Sequence, residues 1–241
     1  MLALRSLLFN LLFFAWTTIL CLMGLPLLAL PRGIVVFFAR VWATGIAAFL
    51  ATIVGTRHEV RGIAPSGRPV IYAFKHQSAW ETVLLPILVP DPATVLKCEL
   101  LFVPIFGWYL LKTGQLPIDR GGGGKALKAL LRAARARVAE GRSIVIFPEG
   151  TRMPPGQHRP YQPGVAALYG QLGLPVIPVA LNSGLFWARR GFLKRPGRIA
   201  VEFLPPIEPG LSRYDFVAEL ERRTEEACAR LLAETTNGED G

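Results

Sequence analysis

The sequence FKHQSAWE, residues Phe74–Glu81, stands between a strand-like and a helix-like segment of the chain. The apolar run Pro69–Ala73 precedes it, and a second apolar run follows at Val83–Leu85. A junction of this kind places polar side chains at the carboxyl end of a strand, where open α/β sheets have their sites. The segment therefore predicts a strand–helix unit with a functional site at its junction.

Two residues of this segment, His76 and Glu81, form a candidate catalytic pair. A neutral imidazole accepts a proton readily near neutral pH, and a carboxylate can fix its tautomer. On a regular helix, residues five positions apart diverge by about 140°. The pair can therefore meet only if His76 lies in the loop before the helix and Glu81 lies in its first turn.

Glu81 also fits a purely structural role. Residues Ser78–Glu81 match the S-x-x-E capping box, in which the glutamate accepts a hydrogen bond from a backbone N–H at the helix start. Caps are commoner than catalytic pairs. The local sequence leaves both roles of Glu81 open.

The pattern beyond Gly55 predicts an α/β fold, because short apolar runs alternate with helical ones. This spacing is typical of a three-layer domain with a largely parallel central sheet, which we assign to residues 56–234. Strands are predicted at Val70–Phe74, Ala93–Lys97, Gln115–Ile118, Ser143–Phe147, Pro175–Leu181 and Ile199–Phe203. Helices are predicted at Ala79–Val89, Leu100–Leu111, Lys125–Glu140, Gly164–Leu172 and near Tyr214–Ala233. The polar residues 235–241 are predicted to form a flexible tail.

The composition combines a net charge of +10 with 51% hydrophobic residues in a chain of 241. The basic residues are dispersed, without zinc-finger spacing or an aromatic RNA-binding signature, so nucleic acid is not an expected partner. An anionic membrane surface or a phosphate-bearing substrate fits this charge better. The three cysteines have no CxxC spacing that would indicate a metal or redox site.

Most of the apolar character lies in the N-terminal residues 1–55. Two apolar runs, Leu7–Leu30 and Gly33–Val54, are each long enough for a bilayer core. They predict a membrane-seated two-helix hairpin, either spanning the bilayer or lying obliquely in one leaflet. A pair of buried core helices in a soluble protein is the alternative. The arginines after the second run place the following domain in the cytoplasm by the positive-inside rule.

Two further predicted strands are followed by turns that contain an arginine. Ile144–Phe147 is followed by Pro-Glu-Gly-Thr-Arg, in which Arg152 offers a planar fork suited to phosphate. The segment Ile118–Arg120 has a similar design, with an acid and an arginine after a strand. Because strand ends in one parallel sheet share an edge, both arginines are predicted beside His76. An ion pair between Glu149 and Arg152 is the structural alternative.

Four segments of the chain resemble motifs of the glycerolipid acyltransferase family, typified by bacterial lysophosphatidate acyltransferases, and they occur in the order that the family has. His76–Glu81 resembles the family's H-x4-D block, and Leu116–Arg120 resembles its arginine block. Phe147–Arg152 resembles the F-P-E-G-T-R block, and Val176–Ala180 the apolar proline block. The resemblance extends over about Val60–Leu181.

This resemblance implies acyl transfer from acyl-CoA or acyl carrier protein to the sn-2 hydroxyl of lysophosphatidate, giving phosphatidate at the bacterial inner (cytoplasmic) membrane. His76 would be the general base, and Glu81 would orient its imidazole. Lys97, Arg120 and Arg152 would bind the acceptor phosphate. Further candidates for the acceptor site are Glu149, Gly150 and Thr151. No metal or redox cofactor is implied.

Glu81 departs from the family pattern, which has Asp at this position. The longer side chain changes the geometry available to His76, so two alternatives stay open. One is an acyltransferase for another lyso-lipid, such as a lyso-ornithine lipid or a lysophospholipid; the other is a catalytically silent lipid-binding membrane protein.

The apolar segment Leu100–Leu111 is predicted as a kinked core helix, part of which could line an acyl-chain tunnel because Pro104 and Gly107 leave space.

Overall fold

A seven-stranded, mostly parallel sheet forms the centre of the computed structural model, which describes residues 1–62 and 67–237. The strands are β1 (Thr56–Arg61), β2 (Ile71–Phe74), β3 (Ala93–Lys97), β4 (Leu116–Ile118), β5 (Ile144–Ile146), β6 (Val176–Leu181) and β7 (Gly197–Phe203). Their order across the sheet is β1-β7-β6-β2-β5-β3-β4. Only the β6–β7 pair is antiparallel among these strands.

Helices cover both faces of this sheet, which confirms the predicted three-layer α/β architecture. They are α1 (Leu2–Met23), α2 (Arg32–Phe49), α3 (Trp80–Leu88), α4 (Phe106–Lys112), α5 (Gly123–Ala139), α6 (Pro163–Leu172), α7 (Ser183–Phe186) and α8 (Arg213–Asn237). A π-helical turn at Leu50–Val54 extends α2, and 3₁₀ turns lie at Leu25–Ala29 and Cys98–Phe102.

The central strand β2 is buried on both sides and divides the apolar core into two layers. Tyr72 and Phe74 belong to one layer, and Ile71 and Ala73 belong to the other. Such two-sided burial explains why β2 is a continuous apolar run instead of an alternating one. The first layer is completed by residues of α1, α2 and α3, and the second by residues of α5, α6 and α8.

The structure differs from the predicted secondary structure at β1 and before α4, and it contains the short helix α7, which was not predicted. β1 was not predicted, because Thr56–Arg61 (TRHEVR) is an edge strand with mostly exposed or half-buried side chains and no apolar alternation. The helix predicted at Leu100–Leu111 is broken before α4. Pro104 favours an extended Val103, whose ψ is 119°, and Ile105 takes a positive φ of 63°.

The last helix continues further than predicted. α8 extends to Asn237, three residues into the segment predicted as a tail. Residues 238–241 of that predicted tail lie outside the described part of the chain. The first three residues of the predicted tail, 235–237, are therefore helical.

The two N-terminal helices pack on the α/β domain and do not stand apart from it. Phe9 of α1 and Ile46 of α2 belong to the same apolar layer as β2 and α3. The buried Ser6 hydroxyl accepts from the backbone N–H of Lys194 at 2.9 Å. Arg32 donates two hydrogen bonds to Asp91, at 2.7 and 2.6 Å. The boundary near residue 55 is thus a change of composition rather than a gap in packing.

The outer faces of this helix pair are apolar. Leu2–Met23 and Arg32–Val54 are each long and apolar enough to cross a membrane, with a mean hydropathy of 2.0. Only 17% and 22% of their most apolar windows are buried by the rest of the protein. Large side chains that face outward include Leu4, Leu11, Phe14 and Phe37. Contact with lipid would cover these faces.

Candidate active site

The carboxyl ends of β2, β5, β3 and β4 form one edge of the sheet, and a cavity of about 610 Å³ opens beside it. Five of the residues predicted from the sequence line this cavity. They are His76, Lys97, Arg120, Thr151 and Arg152. The rule that parallel strands end at one edge therefore predicted correctly that His76, Arg120 and Arg152 lie around one cavity.

The loop after β2 places the candidate pair His76 and Glu81 in the geometry that the sequence required. α3 begins at Trp80, so His76 precedes the helix and Glu81 lies in its first turn. The Ser78 hydroxyl accepts from the Trp80 N–H at 2.8 Å, and Glu81 Oε1 accepts from the Ser78 N–H at 2.7 Å. The predicted capping box is therefore formed in part: Glu81 accepts from the Ser78 N–H, whereas the Ser78 hydroxyl accepts from the N–H of Trp80 and not from that of Glu81.

The same carboxylate also holds the imidazole. Glu81 Oε1 lies 2.9 Å from His76 Nδ1 and accepts from the Gln77 N–H at 2.7 Å. Glu81 Oε2 accepts from the Ser183 hydroxyl at 2.8 Å. A carboxylate only accepts, so the proton of the neutral ring is on Nδ1 and the lone pair is on Nε2. Glu81 thus makes both of the contacts predicted for it, to the His76 ring and to a backbone N–H before the helix, with the same oxygen.

Glu81 is fully buried, yet its surroundings favour the charged form. Burial by itself would raise the pKa of this carboxyl group. The hydrogen bonds from His76 and from the backbone outweigh burial and lower the pKa. Phe147 packs against the face of the His76 ring, with 4.2 Å between the ring centroids. The imidazole is therefore fixed by a charge at one edge and by an aromatic ring on one face.

Arginines without carboxylate partners surround the polar end of the cavity. Arg189 and Arg190, in the loop after α7, line the cavity together with Arg120 and Arg152. Among the described residues, no carboxylate lies within ion-pair distance of any of these four guanidinium groups. Burial lowers the pKa of Arg120 and Arg152. Because guanidinium groups without a counter-ion favour an anionic ligand, this end of the cavity is suited to phosphate.

Three of the residues at this site were not predicted from the sequence as site residues. Ser183 lies two residues after the end of β6, so the strand-end rule that identified His76 could also have identified it. Arg189 and Arg190 come after the short helix α7, where no strand-end pattern marks them. Arg189 is held by a hydrogen bond from its Nη1 to the backbone oxygen of Arg152, at 3.0 Å.

The substrate contact predicted for Glu149 needs correction. Glu149 is fully buried, and its Oε1 accepts from Lys75 Nζ at 2.8 Å while its Oε2 accepts from the His76 N–H at 3.2 Å. Neither Glu149 nor Gly150 is among the described residues that line the cavity. The alternative ion pair with Arg152 is not formed either, because Lys75 occupies the carboxylate. Gly150 has a φ of 67°, which glycine adopts without strain.

The other end of the cavity is apolar and lies between α2, α3 and α4. Its lining includes Val36, Phe38, Trp42, Val83, Leu85, Leu96, Leu100, Phe106, Tyr109 and Leu110. Gly107 does not widen it, contrary to the prediction. A Cβ atom at Gly107 would lie 2.0 Å from the backbone oxygen of Leu101, so this glycine permits close packing of two backbones.

Comparisons with known proteins identify the family of this chain. The family model described as Acyltransferase matches residues 57–182, more than half of the chain. The chain is 37% identical to the 1-acyl-sn-glycerol-3-phosphate acyltransferase of Pseudomonas aeruginosa, over 96% of this chain and 91% of that protein. It is 31% identical to the 1-acyl-sn-glycerol-3-phosphate acyltransferase of Cocos nucifera, over 66% of this chain and 52% of that protein.

A solved structure has the same fold. The crystal structure of the 1-acyl-sn-glycerophosphate (LPA) acyltransferase from Thermotoga maritima superposes with a TM-score of 0.80, covering 97% of this chain and 98% of that chain at 22% identity. At this identity the likeness shows the fold alone. The family is shown by the family model and by the Pseudomonas relative, and the matched residues 57–182 include His76, Arg120 and Arg152 of the cavity. This chain therefore belongs to the acyltransferase family.

Proposed function

We propose that this protein transfers an acyl group from a thioester, acyl-CoA or acyl carrier protein, to the sn-2 hydroxyl of lysophosphatidate and so makes phosphatidate. One observation carries the proposal: a histidine–carboxylate pair meets unpaired arginines in a cavity whose other end is apolar. The names of the Pseudomonas and Cocos relatives support the same reaction.

In the proposed reaction His76 is the general base. Its Nε2 takes the proton of the acceptor hydroxyl while the hydroxyl oxygen attacks the thioester carbonyl carbon. The C–S bond of the tetrahedral adduct then breaks, and the imidazolium gives its proton to the departing thiolate. Between these steps the charge of Glu81 stabilises the imidazolium. The thioester supplies the activated acyl group, and no further cofactor takes part.

Arg152 is our leading ligand for the acceptor phosphate. It lies in the turn after β5, next to β2, and is close enough to Glu81 for the two charges to interact. The sn-3 phosphorus is three bonds from the sn-2 carbon, so it lies about 4–5 Å from the sn-2 hydroxyl oxygen that His76 would deprotonate. Lys97 is the last residue of β3 and Arg120 follows β4, and these strands lie about 10 and 14 Å from β2. They would reach the phosphate only with extended side chains, so we expect smaller contributions from them.

Thr151 and the apolar end of the cavity complete the proposed acceptor site. Thr151 lines the cavity, and its hydroxyl offers both a donor and an acceptor. The apolar walls formed by α2, α3 and α4 suit one acyl chain, since its burial needs no polar partners. Glu149 and Gly150 would shape the site through the backbone of the turn.

The proposal also covers the location of the enzyme. Lysophosphatidate is a membrane lipid, whereas both thioester donors are soluble in the cytoplasm. The exposed apolar faces of α1 and α2 and the basic charge of the chain support a seat at the bacterial inner membrane with the catalytic domain on its cytoplasmic side.

The direct test is transfer from labelled acyl-CoA, and separately from acyl carrier protein, to a panel of acceptors. Lysophosphatidate and 1-acylglycerol form a matched pair that differs only in the phosphate. We expect a strong preference for lysophosphatidate in the parent protein and no product above background with His76→Ala.

Two other outcomes would contradict the proposal. Turnover that prefers a lyso-ornithine lipid or a lysophospholipid with a larger headgroup would make the enzyme an acyltransferase for that lipid. Absence of product with every donor and acceptor, from protein with a cooperative thermal transition, would favour a lipid-binding protein without catalysis.

A further inference from the structure

A buried ammonium group lies directly behind the catalytic loop. Lys75, the residue before His76, is 1% exposed, and its Nζ contacts two carboxylates and one backbone oxygen. The distances are 2.8 Å to Glu149 Oε1, 2.7 and 2.8 Å to the two oxygens of Glu225, and 3.1 Å to the Gln157 oxygen. These partners use all the hydrogen-bonding capacity of the ammonium group.

Glu225 reaches this position from the C-terminal helix α8. The helix is anchored in the second apolar layer by Phe216 and Leu220, which are both fully buried. The Tyr161 hydroxyl donates to Glu225 Oε1 at 3.2 Å. Residue 225 lies beyond the segment 57–182 that the family model matches. The catalytic loop therefore depends on a carboxylate from outside that segment.

A continuous set of contacts joins Glu225 to the backbone of His76. Glu225 holds Lys75, and Lys75 holds one oxygen of Glu149. The other oxygen of Glu149 accepts from the His76 N–H at 3.2 Å. Glu149 is therefore oriented by Lys75 at one oxygen while it orients His76 with the other.

We propose that Glu225 is a positioning residue for the acyl-transfer reaction, acting through Lys75 and Glu149 on the backbone of His76. The inference rests on the proposed function of the site. Glu225 does not line the cavity and contacts no reacting atom. Its role is to keep the imidazole where it meets both Glu81 and the acceptor hydroxyl.

The balance of charges around Lys75 indicates that the fold tolerates the loss of the Glu225 charge. One ammonium group faces two carboxylates in the parent protein, from Glu149 and Glu225. Glu225→Gln leaves one ammonium group opposite one carboxylate, so no buried charge loses its counter-charge. Lys75 nevertheless loses two charge-assisted hydrogen bonds, and Glu149 is then free to turn towards Lys75 and away from the His76 N–H.

The expected effect is on kcat and not on KM. A misplacement of about 1 Å at a reacting group can lower a rate roughly 10²-fold. We therefore expect Glu225→Gln to lower kcat by about 10- to 100-fold, and Glu225→Asp to retain more activity because it keeps the charge. KM for lysophosphatidate should stay within twofold, because the variant leaves Arg152 and Arg120 unchanged.

Glu226→Gln is the matched control. Glu226 is the next residue of α8, but its side chain is 64% exposed and pairs with Arg222 on the protein surface. The control removes the same charge from the same helix without touching Lys75. We expect parental kcat and KM from it.

A second readout does not depend on activity. The chain has three histidines, so ¹⁵N-histidine NMR can follow the ring nitrogens of His76, assigned by their loss in His76→Ala. Glu225→Gln should shift the His76 ring signals and leave those of His58 unchanged. His158 is not used as a reference, because it follows Gln157, a partner of Lys75, and pairs with Glu221 of α8. Because the spectra need no substrate, they test the positioning role even if the parent protein does not acylate lysophosphatidate.

The inference is overturned by unchanged kcat and unchanged His76 signals in Glu225→Gln. An equal loss of kcat in Glu226→Gln, or a rise in KM at constant kcat, would also overturn it. If Glu225→Gln does not fold, the spectra of Glu225→Asp decide. Its carboxylate is withdrawn by about 1.5 Å from Lys75, and unchanged His76 signals there would exclude the positioning role.

Discussion

Replacing Glu81 with glutamine separates the charge of this side chain from its hydrogen bonds. The amide oxygen can still accept from the N–H groups of Gln77 and Ser78, as Glu81 Oε1 does at 2.7 Å. The amide nitrogen can donate to the Ser183 hydroxyl, which reverses the bond at 2.8 Å. What the variant loses is the negative charge 2.9 Å from His76 Nδ1.

The size of the effect follows from these contacts. Positioned proton transfer contributes about 10²–10⁴-fold, and it depends here on a charge that stabilises the imidazolium. We therefore expect Glu81→Gln to lower kcat by roughly 10²–10⁴-fold, which corresponds to about 3–5 kcal/mol. Two backbone hydrogen bonds weaken by roughly 1 kcal/mol each, while the neutral amide is easier to bury. The thermal midpoint should fall by less than about 5 °C.

The assay is release of free thiol from acyl-CoA with lysophosphatidate as acceptor, alongside a thermal denaturation of each variant. Ser183→Ala is the graded control, because it removes one hydrogen bond to Glu81 and keeps the charge; we expect a loss of kcat below tenfold. Glu81→Asp keeps the charge about 1.5 Å further from His76 and should fall between these two. Near-parental kcat in Glu81→Gln would refute the catalytic role of the charge and leave the helix cap as the function of this residue.

Three further predictions follow from the site and the packing. His76→Ala should lower kcat by at least about 10²-fold with a retained thermal transition, and parental turnover would remove this residue from the mechanism. Arg152→Ala should raise KM for lysophosphatidate more than Arg120→Ala does, and it should leave KM for 1-acylglycerol unchanged; the opposite order would contradict the phosphate assignment. Burial lowers the pKa of Lys194 to about 8 from an ordinary 10.5, so between these pH values the unfolded chain holds a proton that the folded chain has released. The free energy of unfolding of the parent, relative to Lys194→Met, should therefore rise from about pH 8 to 10.5. Curves of unfolding free energy against pH, measured in detergent, that run parallel for the parent and Lys194→Met would contradict this prediction.

Much of the fold was predictable from local sequence. β2 and β5 are continuous apolar runs because they are buried on both faces, and this pattern needs no knowledge of the partner strands. β1 was not predictable in this way, since an edge strand is only partly buried and its pairing with β7 supplies the missing stabilisation. The break before α4 was also missed, because the helical pattern continues through Pro104 although the backbone does not.

The sequence by itself determined which side chains reach the catalytic edge. His76 and Arg152 follow apolar strands, and the ends of parallel strands meet whatever the rest of the chain does. The spacing of His76 and Glu81 likewise fixed the one local geometry in which they can bond. These conclusions depend on the periodicity and direction of the backbone, which are local properties.

Only the tertiary structure decided what surrounds this pair. Ser183 is 102 residues from Glu81, and Glu225 is 150 residues from Lys75, so no local pattern relates them. The direction of Glu149 was decided by burial, because a carboxylate enclosed by protein must take the nearest buried cation as its partner. The sequence thus specifies the reacting groups through strand ends, whereas their orientation depends on long-range contacts that exist only once the sheet and α8 have packed.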